Sequence, residues 1–279
     1  MDGLFSNVLA AQAVGTSTSV TLQGKGFITL KHDAPIEGGG SPVTLVNVNN
    51  TIAGDGTIGG AGLKLNNKAG GLIEANGSGS VLVIDTGANA VVNAGTMAAA
   101  INSTLFIGSK VTNTGTLAAN GGLIDCAGTV AGGKALISGA GIMDFAAASS
   151  ATTTFAATAT GKLLLEDSSQ YTGTIVGFGA NTTQSIDLAD FNVTGAHAIS
   201  FSLGVLTLKN TAGQVVHLHF SGAHTLASFH LSNDGNFNGT DDGTKIVDPP
   251  AQTKPQTRLT ISPACSVNSW RLGRTQSPH

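Results

Sequence analysis

The tripeptide Gly-Thr-aliphatic recurs along this chain as Gly56-Thr57-Ile58, Gly95-Thr96-Met97, Gly115-Thr116-Leu117 and Gly128-Thr129-Val130. Looser copies stand at Gly71-Leu72-Ile73 and Gly141-Ile142-Met143. Successive glycines lie 15, 24, 20, 13 and 13 residues apart. Such a period is one turn of a solenoid, or part of one, with loops of variable length between strands that keep their phase. Each unit holds a short β-branched or alternating apolar run, then Gly or Asn where a corner needs φ > 0. One unit cannot bury its own apolar face, whereas a stack of them buries each face against its neighbours. Asn also precedes the Gly by two in Asn93-Ala94-Gly95 and Asn113-Thr114-Gly115.

Composition agrees with a stack rather than a conventional core. Of 279 residues 39 are Gly, only 10% are charged and 5% aromatic, so the apolar content is spread thinly and regularly. Apolar runs such as Val81-Leu82-Val83-Ile84 and a net charge of only −3 separate the chain from the disordered class. The Ala-rich stretch Ala90 to Ser103 reads as strand, because Val91, Val92, Thr96 and Ile101 are β-branched and Gly95 interrupts any helix. From about Ala159 the apolar runs lengthen, and eight of the 11 Phe fall from Phe145 onward. Larger side chains there suit a cap over the last coil, whose backbone edge would otherwise stand unpaired.

The chain changes character at Pro249-Pro250. The residues before Pro249 carry 16 acidic and 9 basic side chains, net −7, and those from Pro249 onward carry four Lys or Arg and no acid, net +4. That final stretch also holds five of the seven Pro and the single Trp, Trp270, and reads as a disordered tail. The expected architecture is all-β: a right-handed parallel β-helix (β-solenoid) with a C-terminal β cap. Residues 1–44 form a β-rich N-terminal segment, truncated from something longer, 45–165 the coils, 166–250 the cap and 251–279 the tail. Cys126 and Cys265 sit in unlike settings and indicate no disulfide framework. The acidic body argues against nucleic-acid binding. Met1 to Ala13 lacks the basic start of a signal peptide, and no apolar run approaches the roughly 18 residues of a membrane span.

Two blocks carry a resemblance. Tyr171-Thr172-Gly173-Thr174-Ile175-Val176-Gly177-Phe178 followed by Ser185-Ile186-Asp187-Leu188 is similar to a segment that ends many repetitive exported proteobacterial proteins. The stretches Ala227 to Gly235 and Thr244 to Pro250 are similar to the closing hairpin of the same group, and the coils resemble the passenger β-helices of autotransporters and filamentous-haemagglutinin-type adhesins. The resemblance covers roughly residues 45 to 250. It implies export and a secreted or cell-surface role, as a non-catalytic structural or adhesin-like module whose partners are host or environmental surfaces or glycans. It carries no catalytic residue over.

Three groups of residues could do chemistry. Asp234-Gly235-Asn236-Phe237-Asn238-Gly239 matches the first half of a calcium loop, with Asp234, Asn236, Asn238 and Asp242 at ligand positions. Lys245 stands where that loop needs a bidentate Glu, and no helix pattern flanks it, which favours a polar hairpin over a calcium site. His217 and His219 share one face of a strand whose other face is Val216, Leu218 and Phe220, with His224 and His230 nearby; an ordinary solvent face outweighs a zinc or nickel site. Asp55, Glu74, Asp85, Asp125 and Asp144 are scattered singly, yet stacked coils can bring distant residues together. They leave a polysaccharide lyase or epimerase-like enzyme acting on acidic glycans as the alternative function. Thr152-Thr153-Thr154 and Thr158-Ala159-Thr160 read as β-forming, solvent-facing residues.

Overall fold

The computed structural model describes residues 9–11, 18–38, 42–60, 62–193, 198–234 and 243–249. The chain is a parallel β-solenoid of about eight turns, nearly all β, as its repeats require. Among the described residues the helical segments are two short 3₁₀ turns, Ser168–Gln170 and Leu226–Ser228.

Each coil presents three faces. The first is a six-stranded parallel sheet of Ser19–Leu22, Val43–Asn47, Leu63–Asn67, Val91–Asn93, Val111–Asn113 and Val130–Ala131, continued by single bridges at Ser149 and Tyr171. The second begins in the long strands Phe27–Gly38 and Thr51–Gly59 and passes through Leu72–Ala75, Thr96–Ala99, Thr116–Asn120, Lys134–Ser138 and Thr152–Phe155 to Thr174–Val176. The third starts in Leu9–Ala11, passes through the far halves of those long strands, then takes Val81–Asp85, Thr104–Ile107, Leu123–Cys126, Ile142–Phe145, Lys162–Leu165 and Ser185–Leu188. Parallel stacking therefore runs from Leu9 to Leu188, further in both directions than the expected 45–165. The first coil lacks the Gly-Thr tag, and the longer apolar runs after Ala159 still stack in parallel before any capping strand begins.

The tripeptides do not all mark one face. Leu72, Thr96 and Thr116 stand in register on the second face, while the Gly56 and Gly141 copies enter the third and the Gly128 copy enters the first. Glycine before a strand thus marks a corner, and each coil has three. The irregular spacing mixes different corners with whole turns.

Inward side chains stack in columns. Ile52, Ile73, Met97, Leu117, Ala135, Thr153 and Ile175 follow one another on the second face, each fully buried. Ile58, Ile84, Ile107, Cys126, Phe145, Leu165 and Leu188 do so on the third. Burying one large aliphatic or aromatic side chain contributes about 1.5–3 kcal/mol, so the columns supply the driving force that no single coil could. Thr153 is tolerated inside because the Tyr171 hydroxyl reaches its Oγ1 at 2.9 Å.

A buried asparagine ladder fixes the corner between the first and second faces. Asn47, Asn67, Asn93 and Asn113 are stacked, and each side-chain amide donates to the next Oδ1, at 3.0, 2.9 and 2.9 Å in turn. At its ends Asn47 Oδ1 accepts from the Asn50 N–H, and Asn113 Oδ1 from the Gly115 N–H, both at 3.1 Å. The glycines that follow are required by close approach. A Cβ on Gly95 or Gly115 would collide with the carbonyl oxygen of the corner beneath it, Gly71 or Gly95 respectively.

The final strands close the stack. Ala198–Ser202, Val205–Lys209 and Val215–Ser221 form an antiparallel meander whose last strand pairs with Thr174–Val176, extending the second face. Thr244–Val247 pairs antiparallel with both His230–Asn233 and Ser185–Leu188, extending the third. Backbone groups that the last coil would leave unpaired are thereby satisfied. Inside, Phe155, Phe178, Phe220 and Phe229 lie in successive contact, with ring centroids 5.3, 5.8 and 5.0 Å apart, so the aromatic residues do thicken this end.

Candidate functional site

The third face brings scattered acids together on its outer surface. Inward and outward residues alternate, so Leu82, Leu105, Ile124 and Met143 point into the core, and the next residue of each strand points out. That outward column reads Val83, Phe106, Asp125, Asp144, Leu164 and Asp187, ending opposite Lys245. Parallel strands stack about 4.8 Å apart, so Asp125 and Asp144 are direct neighbours although 19 residues separate them in sequence. Lys162, two residues before Leu164, reaches along the face to Asp187, with Nζ 2.8 Å from Oδ2.

The column is outward yet shielded. Asp144 is 8% exposed and Asp187 4%, and Oδ1 of each has no hydrogen-bond partner. Burial pushes the Asp144 carboxyl up to about 7, and the negative charges of Glu166 and Asp125 add to the effect while Lys162 opposes it. Asp125, more exposed, is raised by loss of solvent alone. Asp144 thus holds or releases its proton near neutrality, the property wanted in a general acid or base. Its shielding leaves little room for a substrate to reach it. Behind the column, Cys126 is fully buried, and its thiol is pushed far up by burial and by the two neighbouring carboxylates. It is a free, inert core residue.

A second pairing joins the cap. His224 Nδ1 lies 2.5 Å from Asp248 Oδ2, both side chains buried, with the imidazole stacked on Phe229 and against Phe220. The pair borders a pocket of about 250 Å³ lined by Phe178, Thr225, Ser228 and Pro249. A larger, open pocket of about 350 Å³ lies at the other end, where Lys31 and Asp55 face the Asn76–Ser80 turn. Neither reaches Asp144.

Of the expected calcium ligands, Asp234 follows the strand His230–Asn233, its N–H bonded to the Gly243 carbonyl at 3.4 Å. Asn236, Asn238 and Asp242 lie outside the described residues. His217 and His219 do point to solvent from one face of their strand, with His217 Nδ1 3.0 Å from Thr207 Oγ1, and Val216, Leu218 and Phe220 are buried behind them. His230 is also exposed, whereas His224 is taken by Asp248. Among the described residues no three His, Cys, Asp or Glu side chains converge as a metal-binding group, and no helix is long and apolar enough to cross a membrane.

No protein-family model matches the chain, and no curated protein matches it significantly. Its function has to be read from the geometry.

Proposed function

We propose that the protein is a secreted or cell-surface module that works through its outer faces, as a structural or adhesin-like passenger, and that it is not an enzyme. The observation that carries this reading is the disposition of the third face. Its acids sit in the wall of the stack, shielded and partly paired, while rows of outward residues run uninterrupted along stacked coils. Eight coils give faces roughly 35–40 Å long, suited to shallow contact with an extended glycan or another surface. The resemblance to autotransporter passengers supports the export that this role needs. Calcium at the Asp234 loop belongs to the same reading as a structural ion only. Binding of the purified chain to a glycan array and to intact cells tests the proposal; no binding to either leaves a passive rod and defeats the adhesive part.

One observation favours the alternative, an enzyme acting on acidic glycans: Asp125, Asp144 and Asp187 come from three coils to one column beside Lys162. A base near neutrality beside a cation is what abstraction of a proton next to a uronate carboxylate needs. Incubation with polyuronates, followed by measurement of unsaturated products, separates the two. Turnover that Asp144→Asn abolishes would overturn the non-catalytic reading.

A further inference from the structure

We infer, resting on the adhesive reading of the outer faces, that the third face is the binding surface for an amino-sugar glycan, an extended chain of pyranose rings bearing free ammonium groups. The outward side of a solvent-facing strand normally carries polar residues, but here it carries Val81, Val83, Phe106, Leu123 and Ile142 on four consecutive coils. Val81 is 46% exposed and the others are half-buried, so the stripe is open to a ligand. The stripe also has a polar head. Asp55 precedes Gly56, the partner of Leu82, and so stands one coil before Val81. It lines the open pocket of about 350 Å³ together with Lys31 and the Asn76–Ser80 turn, whose last residue leads into Val81. Pocket and stripe thus form one line along the solenoid axis, four strand spacings or roughly 19 Å from Asp55 to Ile142.

Charge selects the ligand. The carboxylates that reach solvent beside the stripe are Asp85, Asp125 and Glu166, on coils three, five and seven. Asp144 and Asp187 are shielded, and Lys162, the one cation on these strands, is engaged by Asp187. Open negative charge therefore recurs on every second coil, roughly 10 Å apart. In a cellulose-like β-linked chain each pyranose is about as long as one coil is high and is turned over relative to the last, so amino groups come to the same side at every second ring. The apolar C–H faces of the rings suit the aliphatic stripe, and the ammonium groups are attracted both by the carboxylates and by the face of Phe106. A uronate chain would bring negative charge to the same acids, which separates this ligand from the substrate of the enzymatic alternative. An extended peptide fits less well, because its side chains return to one face every two residues, roughly 6.8 Å, out of step with coils about 4.8 Å apart.

Calorimetric titration of the full-length chain with a fully deacetylated glucosamine oligomer, its N-acetylated counterpart and an oligogalacturonate is the test, at a mildly acidic pH that keeps the amines charged. The deacetylated oligomer is expected to bind saturably and about tenfold more tightly than the N-acetylated one, and the uronate to give no saturable heat. Phe106→Ala should weaken binding about tenfold. Asp125→Asn with Glu166→Gln, both at positions that reach solvent, should erase the preference for the charged sugar with circular dichroism unchanged. Salt at about 1 M, where the Debye length falls to about 3 Å, should erase it as well. Thr112→Ala, on the exposed side of the first face, should change nothing. Equal binding of the two sugars, or binding that survives both the Phe106 and the acid substitutions, overturns the inference. So does a deacetylated oligomer that does not bind; if the glycan array or intact cells still capture the chain, the adhesive reading stands without this ligand. Tighter binding of an alternating Lys-Val peptide, lost in the same variants, overturns it in favour of a protein partner.

Discussion

The carboxyl of Asp144 makes stability depend on pH in a direction opposite to that of a carboxylate paired with a cation in the folded state. Its folded-state value of about 7 stands above the ordinary 3.8, so the folded chain binds a proton that the unfolded chain has already lost. The stabilisation is fully present below the unfolded value and falls as pH rises through the folded one. Each pH unit across that window costs about 1.4 kcal/mol, up to about 4 kcal/mol in all, against a typical total of about 5–15 kcal/mol. Glu166, Asp125 and Asp187 raise the value and Lys162 lowers it, so the window is a property of the whole face. Asp144→Asn keeps the shape of the protonated acid and removes its titration. Urea unfolding of both proteins should give similar stabilities at about pH 3. That equality is lost as pH rises above about 4, and at pH 8 the variant should be the more stable by about 4 kcal/mol. Parallel pH profiles for the two proteins would refute the assignment of a neutral, shielded carboxyl at this position.

Further outcomes follow from the same structure. Asn93→Leu removes the middle of the asparagine ladder, leaving the Asn67 amide only the Gly71 and Thr96 carbonyls as acceptors and taking a donor from Asn113 Oδ1; a loss of about 1–3 kcal/mol is expected by chemical denaturation. Gly115→Ala forces a Cβ onto the Gly95 carbonyl and should lower the melting temperature, whereas Gly213→Ala meets no neighbouring atom and should cost only the strain of its φ of 86°. Phe155→Ala opens the core between the last coils and the cap, for a loss of about 3–5 kcal/mol in the same assay. Millimolar calcium monitored by melting temperature tests the Asp234 loop: saturable stabilisation that Asp234→Ala removes supports a site, and no shift leaves a polar hairpin.

What could be read from the sequence was set by which contacts are local. Glycine before a strand is visible because each corner passes close under the previous one, and the Asn-x-Gly pairs at Asn93 and Asn113 exposed half of the buried ladder. Asn47 and Asn67 escaped notice because their corners are longer, with Asn67 four residues before Gly71. Which face each tripeptide occupies depends on register, and coil lengths vary too much for a period to reveal it. The acid column was hidden for the same reason: Asp144 and Asp187 lie 43 residues apart, with an entire coil and the Leu164 strand between them. His224 and Asp248 meet only because two cap strands fold over the aromatic cluster.

In-register stacking also explains why charge is so scarce. A solenoid repeats each outward position about 4.8 Å along its axis, so a charged residue in one coil meets whatever occupies that position in the next. Two like charges at that distance repel by roughly 3 kcal/mol at an effective dielectric of about 20. Thr and other small or uncharged side chains avoid the cost, as in the outward column of Thr51, Leu72, Thr96 and Thr116, and a chain with 10% charged residues is the outcome. Where acids do stack, at Asp125 and Asp144, burial first and then the charges of Glu166 and Asp125 favour the protonated form of Asp144. Where Asp187 meets Lys162 and faces Lys245 across the sheet, the cost is offset by pairing. The third face is therefore where this fold departs from its own rule, carrying both apolar and acidic groups outward.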